Sequence, residues 1–282
     1  MKKLVFLVIV FPLLFCNGCR DYASIDLSGD TAEEIMAKVE KNKNVLDKIN
    51  AEYVKRTKYF DVYVDIGGAL YQRWATPKMM SRWYKICLNS ISKSKESFNN
   101  PKNINEFSCY AFICFIGTND NKAIKDLPEL TVFPLFEEAR KKYLHSNPKE
   151  FLEWCQQEIV PTAITGNKSL AFAYCGLLES AALLAGDYEM AKNANQILLH
   201  REYGGDLETG SVSNIAFYSD KLGKITPEDR KIMLDYYNEY IKGKKPSRTY
   251  KKRDDFIVYA LKKYKIIPEL SKQQQKADTK KE

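Results

Sequence analysis

Among the 282 residues, Glu179 has the surroundings that most suggest chemistry, because it is the lone charged side chain in the apolar, alanine-rich stretch 169–185. A carboxylate there is costly to bury without a partner or a role, which makes Glu179 the candidate for acid–base work. A hydrolase acting on glycan or peptide would draw on it and on carboxylates such as Glu153 and Glu158. The competing expectation is a rim position facing solvent. The doublets Glu33-Glu34, Glu137-Glu138 and Asp254-Asp255 point about 100° apart on a helix. They read as solvated first-turn charges rather than as an acid/base pair.

Nucleophilic and metal chemistry find less to work with. The two histidines, His145 and His200, have no partner at zinc-ligand spacing, and both read as cations near helix ends. Cys109 and Cys114 diverge by about 140° on a helix and lie on opposite faces of a strand, so they read as core thiols. Nothing in the order of residues promotes a nucleophile pair of Cys155 or Cys175 with either histidine. Gly67-Gly68 and Gly204-Gly205 lack the strand-glycine-helix setting of a phosphate loop and read as helix stops or turns. The expectation is no metal and no cofactor.

The elements that must position these residues are helical. Apolar residues make up 45% and charged residues 28% of the chain, a globular composition. Thr31 three residues ahead of Glu34 has capping-box form, followed by a helical stripe that runs to about residue 58. Residues 59–70 alternate like a strand, yet no second strand is available to pair with them, so a helix or an irregular link is expected. After Thr76-Pro77 comes a helix carrying Trp83, Ile86, Cys87 and Ile91. The polar stretch 97–106 reads as the main internal loop and a possible sub-boundary. Residues 109–116 form an apolar run that fits buried helix and strand equally.

Asn147-Pro148 opens a helix expected to stop at Pro161. Residues 169–185 form a central buried helix, Gly186-Asp187 a turn, and 188–200 its partner. Thr226-Pro227 opens another helix, closed by Gly243, and the last helix spans about 254–265.

The first residues have the form of an export signal. Lys2 and Lys3 precede an apolar run of 12 residues, 4–15, which contains Pro12. A membrane-crossing helix needs about 20 residues, whereas this run is the length of a signal-peptide core. Gly18 immediately before Cys19 resembles the lipobox of bacterial lipoproteins, with Cys16 where that family prefers Leu. The resemblance implies a signal peptide at 1–18, a lipidated Cys19 as the mature first residue, and a membrane-anchored protein of the cell envelope. Residues 19–30 then read as a tether, 31–266 as the helical domain and 267–282 as a basic disordered tail.

The segment Leu183-Leu184-Ala185-Gly186-Asp187-Tyr188-Glu189-Met190-Ala191 resembles the inter-helix turn of a tetratricopeptide repeat. Glu179 stands where that family has a small residue, and Asn195 where it has a large aromatic. The expected fold is therefore all-α, with antiparallel helix pairs in an irregular or solenoid-like α-α stack, similar to tetratricopeptide arrays.

Charge is distributed unevenly. The net charge is +8, yet residues 242–282 hold 14 Lys or Arg against 5 Asp or Glu, so the remainder of the mature part is slightly acidic. This basic end could meet an anionic surface, while export disfavours nucleic acid. The expected function is a protein- or peptide-binding scaffold of the envelope without catalysis, the alternative being the carboxylate hydrolase.

Mature protein isolated from membranes is expected to begin at acylated Cys19. Intact-mass measurement checks this, and a soluble chain that still carries Met1 would exclude it.

Overall fold

The computed structural model describes residues 31–41, 61–93, 101–166, 168–202, 209–243 and 250–268. Among the described residues every regular element is a helix, and no strand occurs. Of the possible strand at 59–70, residues 61–70 are helical and belong to α2 (Asp61–Gln72), while 59 and 60 lie outside the described residues; the run 109–116 lies within α4 (Pro101–Gly117). That run defied periodicity because α4 buries more than one side, with Cys109, Ala111, Phe112, Phe115 and Ile116 all fully covered.

Local sequence chemistry starts the helices. At α1 (Ala32–Lys41) the Thr31 hydroxyl accepts from the Glu34 amide at 3.1 Å, and the Glu34 carboxylate accepts from the Thr31 amide at 3.2 Å. These reciprocal bonds satisfy amides that a helix start leaves without partners. The expected continuation of this helix through residues 42–58 lies outside the described residues. Reciprocal boxes also open α7 (Pro148–Trp154), through Asn147 and Glu150, and α12 (Pro227–Tyr236), through Thr226 and Asp229.

Three expectations are corrected. Gly67-Gly68 does not break a helix but lies inside α2, where a Cβ added at Gly67 would come 3.2 Å from Nε1 of the fully buried Trp83. Glycine there admits the indole of α3 (Pro77–Lys93) against α2. The expected loop at 97–106 gives way to helix at Pro101, which occupies the first turn, where its missing N–H costs nothing. Pro161 does not stop its helix either. The turn Cys155–Ile159 is a π-helix in which the Val160 N–H reaches the Cys155 carbonyl, and α8 (Val160–Thr165) continues from it. The wider turn fits a ring that would otherwise clash with the preceding turn.

After α4 the short α5 (Asn121–Lys125) and α6 (Phe136–His145) lead into α7. The centre is α9 (Lys168–Ala185), covered by α4, α7, α8 and α10 (Tyr188–Glu202). Ala171, Ala173, Ala181 and Ala182 are fully buried on α9, as are Ala191 and Ala194 on α10, so small side chains let the two axes approach. The turn between them closes through Gly186 at φ +76°, with the Asp187 N–H bonded to the Ala182 carbonyl at 2.8 Å. That conformation suits a residue without a Cβ.

Beyond α10 lie α11 (Thr209–Leu222), α12 with a terminal π turn (Tyr237–Ile241), and α13 (Lys251–Lys263). Helix α11 was not anticipated, since its Thr209, Gly210, Ser211, Ser213 and Asn214 are poor helix formers. The largest apolar cluster spans α4 to α10 and takes in Tyr218 of α11, a second joins α1 to α3 and Phe107 of α4 around Trp83, and a third joins α11, α12 and α13. Ile266 and Ile267 still pack on that third cluster.

Buried charge ties α10, α11 and α12 together. Asp229, with 0% exposure, accepts from Lys192 Nζ at 3.1 Å and Gln196 Nε2 at 2.7 Å on α10, from Ser219 Oγ at 3.4 Å on α11 and from the Thr226 amide at 3.1 Å. Burial pulls the Lys192 ammonium down, but hydrogen bonds to Glu189 and Asp229 more than offset this and raise it above the ordinary lysine value. Glu189 is held below the usual carboxylate range by Lys224 and then by Lys192.

Removing Asp229 leaves the buried Lys192 with the partly exposed Glu189 as its counter-charge, and takes the acceptor from Gln196 Nε2 and the Thr226 amide. Asp229→Ala is therefore expected to lower the unfolding free energy by about 3–5 kcal/mol in urea titration. A loss under about 1 kcal/mol would mean that Lys192 reaches solvent in the folded state.

Candidate functional site

Glu179 sits half-buried on α9, not on an open rim. Its Oε1 accepts from the Tyr218 hydroxyl at 2.5 Å and from Asn214 Nδ2 at 3.1 Å, both on α11. The same Asn214 amide donates to Asn195 Oδ1 on α10 at 3.2 Å. The two positions at which the α9/α10 hairpin departs from the tetratricopeptide pattern are thus joined through one amide. Burial, then the negative charge of Glu179 and the bond to it, push Tyr218 far above the ordinary phenol value, so it stays a proton donor.

On its other side Asn214 meets Arg253 of α13, whose Nη1 donates to Asn214 Oδ1 at 3.4 Å. Arg253 is 2% exposed, and among the described residues no carboxylate lies within ion-pair distance of it. Instead, Nε and Nη2 donate to the Tyr71 carbonyl at 3.3 and 2.8 Å, and Nη1 donates to Ser213 Oγ at 2.7 Å. The guanidinium lies over the rings of Tyr71 and Trp74, 4.6 and 5.5 Å from their centroids. Carbonyl dipoles and ring faces carry the solvation that a carboxylate would otherwise supply. Asn214 therefore stands between a buried cation and a half-buried anion.

The aromatic rings beside this relay form one continuous row. Tyr188 contacts Tyr218 with centroids 6.3 Å apart, Tyr218 meets Phe217 at 5.4 Å, and Phe217 meets Trp74 at 5.9 Å. Trp74 then meets Phe256 at 5.2 Å, and Phe256 meets Tyr259 at 5.5 Å. Both ends are open, with Tyr188 36% and Tyr259 48% exposed, and the middle is half-buried except for Tyr218. Trp74 takes φ 56°, a left-handed position where glycine is usual, at the end of α2. Its ring contacts hold it there against a cost of about 1–2 kcal/mol.

The other sequence candidates are dispersed. Glu153 and Glu158 are exposed on α7 and the following π turn, and the described bonds of Glu179 run to a phenol and an amide. His145 is the exposed last residue of α6, while His200 has a partner that the sequence did not foretell, Glu228 Oε1 at 2.9 Å. All five described cysteines are free thiols. Burial pushes Cys109 and Cys114 up to about 12 and raises Cys87 and Cys155 as well, so these thiols are not poised as thiolates. Among the described residues no group of three or more His, Cys, Asp or Glu is placed to hold a metal ion. Cys19 lies outside the described residues.

The doublet Asp254-Asp255 corrects the expectation of two solvated charges. Asp255 is exposed, but Asp254 is buried and accepts from the Tyr236 hydroxyl at 3.0 Å. Elsewhere, a cavity of about 110 Å³ is lined by Asn119, Asn121, Tyr143, Asn147 and Phe151 among others. It is smaller than the roughly 300 Å³ or more of a typical organic ligand pocket. The relay and the aromatic row are therefore the stronger candidate.

Sequence reasoning identified Glu179 and missed Arg253, Asn214 and Tyr218. Arg253 was hidden in a lysine-rich run, and the polar composition of α11 concealed a helix. Compared with protein-family models, curated proteins and solved structures, the chain matches none of them.

Burial raises the Asp254 carboxyl above its ordinary value, opposed by the Tyr236 bond and reinforced by Asp255. The folded state thus retains a proton that the unfolded chain releases, and the associated stability, present at low pH, is lost as pH rises through the folded value. Asp254→Asn is expected to be more stable than the native chain at neutral pH. The gap should close as pH falls below about 3.9, and a gap unchanged with pH in thermal melts would refute this.

Proposed function

We propose that the protein is an exported, lipid-anchored helical module of the cell envelope that binds another protein or a peptide along the aromatic row. The continuous line of rings from Tyr188 to Phe256 carries this reading. Partly exposed Tyr, Trp and Phe present large, stiff contact area at low entropic cost, as protein-binding surfaces do. Glu179, fixed beside the row by Tyr218 and Asn214, supplies an acceptor in a set position for a donor on the partner. The export signal and Cys19 support the membrane tether. No described helix is long and apolar enough to cross a membrane.

The carboxylate-hydrolase reading draws less support. General acid–base work on a glycan asks for a second carboxyl group about 5–10 Å away, and the two carboxylates that the sequence offered beside Glu179, Glu153 and Glu158, are exposed on α7 and the following π turn.

A photo-reactive side chain placed at Phe217 or at Tyr188 in living cells is expected to cross-link one envelope protein. Binding of that purified partner should weaken at least about tenfold, some 1.4 kcal/mol, in Phe217→Ala and Tyr188→Ala, with Lys149→Ala unchanged. Equal affinity in all three variants would sink the assignment to the row. Hydrolysis of envelope glycan or peptide abolished by Glu179→Gln would replace it with the enzyme.

A further inference from the structure

Helix α13 has two unlike faces. Its buried side, with Ile257, Ala260 and Leu261, packs on the α11 to α13 core. The opposite side runs through Lys252, Asp255, Tyr259 and Lys263, all exposed and spaced at helical steps of three and four. Lys251 and Lys265 extend it at either end, with Lys262 half-buried beside it. Two acids oppose these lysines: Asp255, and Asp220, which pairs with Lys263. Asp254 and Arg253 are turned inward. In the middle stands Tyr259, the most exposed large apolar side chain among the described residues at 48%. Half-buried Ile266 and Ile267 follow the helix.

We propose that this face seats on the anionic headgroups of a phospholipid bilayer, with Tyr259 entering the interface and the flanking lysines lying over the phosphates. Lysines with long apolar stems around an aromatic ring match the chemistry of an interfacial helix, where stem and ring bury while ammonium groups stay at the headgroup level. The charge map sets the orientation. Among the described residues of this face, Lys251, Lys252, Lys262, Lys263 and Lys265 outnumber Asp255 and Asp220, whereas residues 19–241 are slightly acidic in sum, so an anionic surface favours this face. This inference rests on the proposed membrane tether and deepens it. A lipid chain and a basic face together make the two signals that stable attachment requires, and the second fixes which way the body faces.

The test is co-sedimentation of the full chain with vesicles of phosphatidylcholine alone or with phosphatidylglycerol added, at about 0.1 M salt. Any contribution of the apolar leader is common to both. The native chain is expected to favour the anionic vesicles at least about tenfold, since each lysine near such a surface is worth about fivefold. Lys252→Glu/Lys262→Glu/Lys265→Glu should abolish that preference, and Tyr259→Ser should weaken binding to the anionic vesicles while leaving the preference in place. All four positions lie outside the fully buried core, so circular dichroism is expected to show the fold retained.

The control Lys272→Glu/Lys276→Glu/Lys280→Glu reverses charges in the C-terminal segment and is expected to keep most of the preference. Loss of the preference in this control and not in the helix variant would overturn the assignment to α13. Binding to soluble polyglutamate as tight as to anionic vesicles would overturn the lipid. Because the readout does not depend on acylation, a chain found to start at Met1 would refute the tether without touching the vesicle result.

Discussion

The structure depends on hiding α9. An 18-residue helix that carries one carboxylate beyond its first turn must be covered on most sides, and α4, α7, α8 and α10 do this. Alanines at 171, 173, 181 and 182 allow close approach, so neighbouring helices are set by shape as much as by hydrophobic area. The one charge then imposes a second demand, because a carboxylate drawn partly from water needs donors. Tyr218 and Asn214 supply them, and both come from α11.

Seen this way, α11 is a helix whose reasons lie elsewhere in the chain. Gly210, Ser211 and Ser213 are buried, although their propensities favour turns and caps. Ser213 and the Gly210 carbonyl accept from Arg253, and Asn214 faces Glu179, Asn195 and Arg253 together. Arg253 also reaches the Tyr71 carbonyl across 182 residues of sequence, joining the end of α2 to α13. Buried charges of this kind penalise wrong packings more than they add net stability, since any arrangement that strands one of them is costly.

The same contacts assemble the surface on which function is proposed. Trp74 holds a left-handed backbone position because Phe217, Phe256 and Arg253 pack on its ring, and it bridges the two halves of the aromatic row. A relay of cation, amide and anion, from Arg253 through Asn214 to Glu179, joins α13, α11 and α9 beside those rings. The basic helix at the other end of the row gives the molecule a direction. The row of rings and the seating of the basic helix thus both depend on the packing of α2, α11 and α13.

Local chemistry was legible without coordinates. The capping box at Thr31, the helix starts at Asn147-Pro148 and Thr226-Pro227, the turn at Gly186-Asp187 and the nearly uncharged run of α9 each depend on residues within about one or two helical turns, and together they point to a helical fold with α9 at its centre. Where a neighbour from far along the chain intervenes, the local signal misleads. Gly67-Gly68 stays helical because Trp83 fills the space beside it, Pro161 is absorbed by a π turn, and Asp254 is buried beneath Tyr236. Glu179 could be singled out from its own helix, but its partners lie 35 and 39 residues away, and Arg253 looked like one more solvated cation. Only tertiary packing decides which polar groups face one another across helices, because that pairing minimises desolvation over the whole molecule and leaves no trace in the spacing of any one segment.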